Sequence, residues 1–185
     1  MNSSKNVFCL ELLEQADAYQ NSLVLPWLEQ MALHYNITNV YQAFEDIEDF
    51  ETCLHILLRE DKNYKAYNLL YFVVPGANNQ IEINNYFYSF EEVAELFEGK
   101  LQDKIVHFAN TFALDIDEED AQYFLDITGA LGLSGYGFKA PVLSTALDGF
   151  YFNLCQTYHD PVALVENLFE QKYTLCKALD FRFYY

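Results

Sequence analysis

Residues Tyr67–Val74 read YNLLYFVV and stop on Pro75-Gly76. An apolar run of this length, closed by a turn pair, is the pattern of a strand buried on both faces, and such strands sit in the middle of parallel sheets. A parallel neighbour needs a crossover of a dozen or more residues, usually a helix. This one segment therefore demands helices around it in the sequence and a cover on each face of its sheet. It also ends on a proline where open α/β sheets usually gather their ligands and catalytic groups.

The rest of the chain supplies what the segment requires. Asn6–Leu12 reads as a strand. Val24, Trp27, Leu28, Met31 and Tyr35 share one helical face within Leu23–Tyr35, with Pro26 tolerable only in the first turn. Asn36–Ala43 alternates as a second strand. Asp46 is placed to cap a helix with Ile47, Phe50, Leu54 and Leu57 on one side. After Pro75–Asn79, Gln80–Asn84 alternates and returns as a hairpin-like strand. Ser89 and Glu92 form a capping-box pattern before Phe90, Val93, Leu96 and Phe97, with Gly99 at the helix end. Lys104–Asn110 and Ala130–Tyr136 read as strands on either side of a helix over 117–127. A helix follows over 143–158. Asp160-Pro161 opens another, and Asp180–Tyr185 closes the series as a strand. Strands alternating with helices predict one α/β domain over residues 1–185, with a mostly parallel sheet and helices on both faces.

Charge excludes some partners. The 185 residues hold 10 Lys and Arg against 28 Asp and Glu, a formal net charge of -18, with no basic run. Phosphate backbones and anionic membranes need clustered cations, so neither nucleic acid nor a membrane is an expected partner. The acidic charge reads first as a solvated, soluble surface, with a basic protein partner as the alternative. At 52% hydrophobic and 17% aromatic residues the chain is too apolar for disorder. The start of the sequence shows no signal-peptide core, and no run reaches membrane-spanning length, so a cytoplasmic location is expected.

Motifs for common chemistries are missing. Cys9, Cys53, Cys155 and Cys176 form no CxxC pair and lie in apolar contexts, which predicts buried free thiols. His34, His55, His107 and His159 show no HxH or HxxxH spacing, so no metal or other cofactor is expected. His107, between Val106 and Phe108, reads as a core histidine that finds partners. Asp115–Asp120, DIDEED, lacks the glycine and terminal glutamate of a calcium loop and reads as an acidic helix start. Gly129–Gly137, GALGLSGYG, has neither GxGxxG order nor a P-loop lysine, and its small residues read as close strand packing or as a wall on the substrate side.

The ordered series VFCLE, YKAYNLLYFVVPG, KIVHFANTFAL, FLDITGALGLSGY and LCKALDFRF resembles a group of bacterial proteins of caspase-like fold (clan CD cysteine peptidases, CHAT-like) over nearly the whole chain. The resemblance implies a three-layer sandwich. It also implies a histidine followed by glycine after the strand matching LLYFVV, and a cysteine after the strand matching KIVHFAN. Carried over by position, the histidine slot is Pro75, the glycine beside it is Gly76 on the oxyanion side, and the cysteine slot is Thr111. The glycine stays and both dyad members are gone. Pro141 and Val142 also stand where the resemblance implies an Asp-Trp pair.

Proline has no N–H and moves no proton, and a threonine hydroxyl without a base is a poor nucleophile. General-base help alone supplies about 10²–10⁴-fold in rate. Relocated pairs, His107 with Thr111 or Cys155 with His159, lack a catalytic motif. The expectation is a catalytically degenerate domain that binds or regulates, with an active relative or a basic protein as its partner. The rival expectation is an enzyme of unrelated chemistry using the same strand-end cleft, lined by Asn110, Thr111, Phe112, Tyr136 and Lys139. A drifting paralogue without distinct activity is the third.

Overall fold

The computed structural model describes residues 6–13, 22, 24–77, 79–109, 114–137 and 141–185, with the backbone alone at 77 and 141–145. Asn110, Thr111, Phe112 and Lys139 lie outside the described residues. The elements run β1 Asn6–Leu12, α1 Leu25–Tyr35, β2 Thr38–Phe44, α2 Ile47–His55, β3 Tyr67–Val73, β4 Gly76–Ala77, β5 Gln80–Ile83, β6 Tyr86–Ser89, α3 Phe90–Leu96, β7 Ile105–Ala109, α4 Glu118–Thr128, β8 Gly132–Tyr136, α5 Pro141–Cys155, α6 Pro161–Leu179 and β9 Phe181–Tyr184. A π turn over Ile56–Glu60 extends α2, and a 3₁₀ turn over Tyr64–Ala66 precedes β3.

The main sheet has the order β2-β1-β3-β7-β8-β9. Its first five strands are parallel, and β9 runs antiparallel to β8 at the edge. The apolar β3 is central, as its composition requires. Helices flank both faces. Phe8, Leu10, Leu70, Phe72, Val106, Phe108 and Leu133 pack on one side with Phe50, Leu54, Phe90, Phe97 and Phe124 from α2, the α3 region and α4. Val7, Cys9, Leu69, Tyr71 and Ile105 pack on the other with Leu28, Met31, Leu147, Phe152, Leu164 and Leu168 from α1, α5 and α6. A fully buried Leu or Phe in these layers contributes about 1.5–3 kcal/mol.

Local chemistry sets the helix starts. The Asp46 side chain accepts from the Asp49 N–H at 2.9 Å. The Ser89–Glu92 box closes in both directions, at 3.2 and 2.8 Å. In the acidic run, Asp117 accepts from the Asp120 N–H at 2.9 Å and Asp115 pairs with Arg182 at 2.9 Å. DIDEED is thus a helix start tied to β9. Asp160 accepts from the N–H groups of Val162 and Ala163 before Pro161. In the glycine-rich segment, a Cβ on Gly135 would stand 2.7 Å from the Phe108 carbonyl and collide with Leu114. Glycine there lets β8 lie against the apolar layer.

The fold adds two features to the sequence expectation. A second sheet, β4-β5-β6, follows β3. Asn84 and Asn85 both take left-handed φ, 51° and 65°, and join β5 to β6 through a two-residue turn. Asparagine tolerates that region, so an Asn-Asn pair after an alternating strand carries the hairpin signal. The helix α5 also begins at Pro141, two residues before the expected start. Among the described residues no helix is long and apolar enough to cross a membrane.

Candidate functional site

Two places gather polar and titratable side chains: the carboxyl end of the parallel strands and the middle of the layer under α5.

At the strand end, Pro75 is half-buried and its carbonyl accepts from the Glu82 N–H at 2.8 Å. Gly76 opens β4 and pairs with Ile81 of β5. Pro75 lines a groove of about 570 Å³ together with Leu12, Glu45, Asp46, Glu82, Asn84 and Asn85. The groove therefore joins the end of β1, the turn after β2 and the small sheet. Its described lining has three carboxylates and no cation, imidazole, thiol or hydroxyl.

Tyr136 corrects one expectation. It was placed on the cleft wall, and its side chain is 1% exposed. On β8, Ser134 and Tyr136 point to the α5 side while Leu133 and Gly135 face the other, by the alternation of any strand. Tyr136 thus faces inward with Ser134. Its hydroxyl meets the Asp148 carboxylate there.

Asp148, from α5, is the hub of this second place. It accepts from Tyr136, from Tyr71 at 2.9 Å and from His107 Nε2 at 3.0 Å. His107 Nδ1 lies 2.9 Å from Ser134 Oγ, which is 2.9 Å from the Tyr151 hydroxyl and 3.2 Å from the Val106 carbonyl. The register explains the assembly. Cys9, Tyr71, His107 and Ser134 stand side by side across β1, β3, β7 and β8. The Tyr71 and His107 rings stack at 5.6 Å between centroids. Because the carboxylate only accepts, His107 carries a proton on Nε2.

Ser134, His107 and Asp148 have the connectivity of a hydrolytic triad, in which a base bonded to both hydroxyl and carboxylate activates the hydroxyl. Each is 0% exposed. A nucleophile needs room for an acyl group and donors for its oxyanion, and a hydroxyl packed between a histidine, a tyrosine and a backbone carbonyl has neither. The arrangement instead fastens α5 to three strands. Its neighbours share the sealed environment. Burial pushes the hydroxyls of Tyr71, Tyr136 and Tyr151 well above the usual tyrosine range, with the Asp148 charge adding to it. Burial also pushes the Cys155 thiol up to about 12 and Cys176 to about 11, and raises Cys9 well above the ordinary thiol range. None of these groups is a ready nucleophile at neutral pH.

Glu11, at the end of β1, is 5% exposed and accepts from Ser22 Oγ at 2.5 Å and the Tyr41 hydroxyl at 2.6 Å. Burial raises its pKa, against the pull of those two hydrogen bonds.

The remaining candidates stay apart. Cys155 is buried and His159 is exposed, so they form no pair. His34 and His55 are exposed on α1 and α2. All four cysteines are free and buried. Among the described residues no group of three or more His, Cys, Asp or Glu is placed to hold a metal.

Sequence reading identified His107 but missed Asp148, Ser134 and Tyr151. A signal existed. Helix α5 is apolar nearly all round, and its one aspartate must be buried and partnered.

Fold and site thus define an α/β protein with a mostly parallel sheet, a sealed polar clamp and an open acidic groove at the strand ends. Residues 4–185 match a family of unknown function, DUF6642, and the chain belongs to that family. No curated protein matches the chain.

Proposed function

We propose that this chain is a catalytically degenerate relative of the caspase-like cysteine peptidases. It works by binding, and the groove beside Pro75 receives a basic segment of a partner protein, an active relative or a basic protein. The observation that carries this reading is the wall of that groove. The position where the resemblance implies the histidine holds Pro75, and the groove offers carboxylates instead of a base and nucleophile. The mostly parallel sheet with helices on both faces supports the caspase-like assignment. Complementary charge gives such a surface its selectivity and on-rate.

The test is a library of basic and acidic peptides screened against the protein and a Glu45→Lys/Glu82→Lys variant. Basic peptides bind and the variant loses about tenfold or more in affinity, as for a rim that matches charge. A thiol-directed peptidase probe leaves the protein unlabelled. Peptide hydrolysis that disappears in Thr111→Ala overturns the reading.

The buried carboxyl of Glu11 at the end of β1 favours a second reading, an enzyme of unrelated chemistry at the same strand ends, because raised carboxyl pKa values suit acid-base work. Turnover of any substrate lost in Glu11→Gln, with the fold intact, distinguishes it from the binding module.

A further inference from the structure

At the opposite end of the sheet, where β3 and β7 begin, the charge balance reverses. Five of the ten cations in the chain fall between residues 59 and 104: Arg59, Lys62, Lys65, Lys100 and Lys104. Three of them, Lys65, Lys100 and Lys104, line one pocket of about 520 Å³, with the amides of Asn68 and Gln102 beside them. That volume is in the range of small-molecule sites. Asp103, exposed on the rim, is the pocket's one carboxylate.

Lys104 is 4% exposed. Its ammonium donates to the carbonyls of Tyr64 at 2.9 Å and Tyr67 at 2.7 Å, and it lies 4.3 Å from the Tyr64 ring centroid. An ammonium has three donors, so two are spent on the wall and one remains. Among the described residues no carboxylate comes within 4.0 Å of Lys65, Lys100 or Lys104. In a chain with 28 acidic side chains this is unexpected, because buried charges are normally paired. Burial lowers the Lys104 pKa, and the charge of Asp103 opposes it only in part.

The floor is already built. The Gly99 N–H donates to the Ile127 carbonyl, Leu101 to Thr128 and Leu131 to Lys104, at 2.8–2.9 Å, which ties residues 99–104 to the end of α4. Nothing in the pocket has to fold around a ligand.

We propose that this pocket is an anion site for a small phosphate-bearing molecule, with Lys104 at its floor and Lys65 and Lys100 at its mouth. Phosphate oxygens accept charge-assisted bonds from all three ammonium groups and from the two amides. The anion supplies the direct ion pair that Asp103, beyond 4.0 Å, does not give Lys104. The site is separate from the Pro75 groove and independent of what that groove binds.

The probe is pyrophosphate, titrated calorimetrically into the protein at about 0.1 M ionic strength, where the Debye length of about 10 Å screens the distant carboxylates. Binding is expected. It weakens about tenfold or more in Lys65→Ala/Lys100→Ala, whose exposed side chains leave the fold intact as judged by circular dichroism. A charge-matched control, Lys172→Ala/Lys177→Ala on α6, keeps the affinity. Inorganic phosphate binding as tightly as pyrophosphate narrows the ligand to a single phosphoryl group in the same pocket. No heat with either anion overturns the proposal, and so does equal loss in both double variants.

Discussion

The two faces of the main sheet are built on different rules. Under α2, α3 and α4 the contacts are rings and aliphatic chains, such as Phe72 against Phe97 and Phe108, and Phe90 against Phe124. Under α5 the same sheet carries His107, Ser134, Tyr71 and Tyr136 around one aspartate. Apolar packing rewards any shape that fills the space, so the first face is forgiving. A buried polar cluster rewards only the arrangement that satisfies every member. The second face therefore specifies where its helix sits, and the first mainly supplies the driving force.

The most severe way to break this contrast is Asp148→Ala. It leaves the Tyr71 and Tyr136 hydroxyls and the His107 proton without an acceptor in a sealed layer. The expected loss is about 3–5 kcal/mol, read from urea unfolding. A loss below that of an ordinary surface substitution removes the clamp from the account. Tyr136→Phe is milder, since it preserves the ring and deletes one hydroxyl bonded to a carboxylate. It is expected to cost about 1.5–3 kcal/mol by the same measurement. The matching change on the other face is Leu70→Met, similar in volume and fully buried. It is expected to cost less than about 1.5 kcal/mol. Equal costs for these two near-isosteric changes erase the difference between the faces.

The smallest effect concerns Glu11. Its pKa is raised above the ordinary 4.5 in the folded protein by burial. The folded state therefore holds that proton more tightly than the unfolded chain, and its contribution to stability falls as pH rises from about 4.5 through the folded value. Glu11→Gln removes this titration while keeping an oxygen to accept from Ser22 and Tyr41. Stability curves of the two proteins diverge in favour of the variant as pH rises towards neutrality. Parallel curves overturn the assignment.

Much of the scaffold was legible because it follows from local patterns. YNLLYFVV announced a central strand, Asp46, Ser89 and Asp160 announced helix starts, and DIDEED sits at the start of α4 as its charge suggests. The clamp was not legible in the same way. His107 could be seen as a core histidine, but its partners come from residues 27 and 41 positions away, and Tyr71 reaches Asp148 over 77. Such meetings depend on strand order and register, which no local window contains. Tyr136 illustrates the point. Its position at a strand end suggested the cleft, and only the parity of β8 relative to β7 turns it inward.

The position of Asp148 along α5 gives the clamp one more consequence, for how the chain reaches its final form. A slip of α5 by one residue rotates Asp148 by about 100° around the helix. The helix would still present apolar side chains to the sheet, so packing alone would punish the slip weakly. Three donors from three different strands would lose their acceptor together. Closing the 77-residue loop to Tyr71 costs more chain entropy than closing the 12-residue one to Tyr136. The near contact is therefore the cheaper of the two to form, and both are satisfied together only in the correct register. A misdocked helix leaves three buried donors unpaired at once, so the same three bonds that hold the finished protein also select the register of α5.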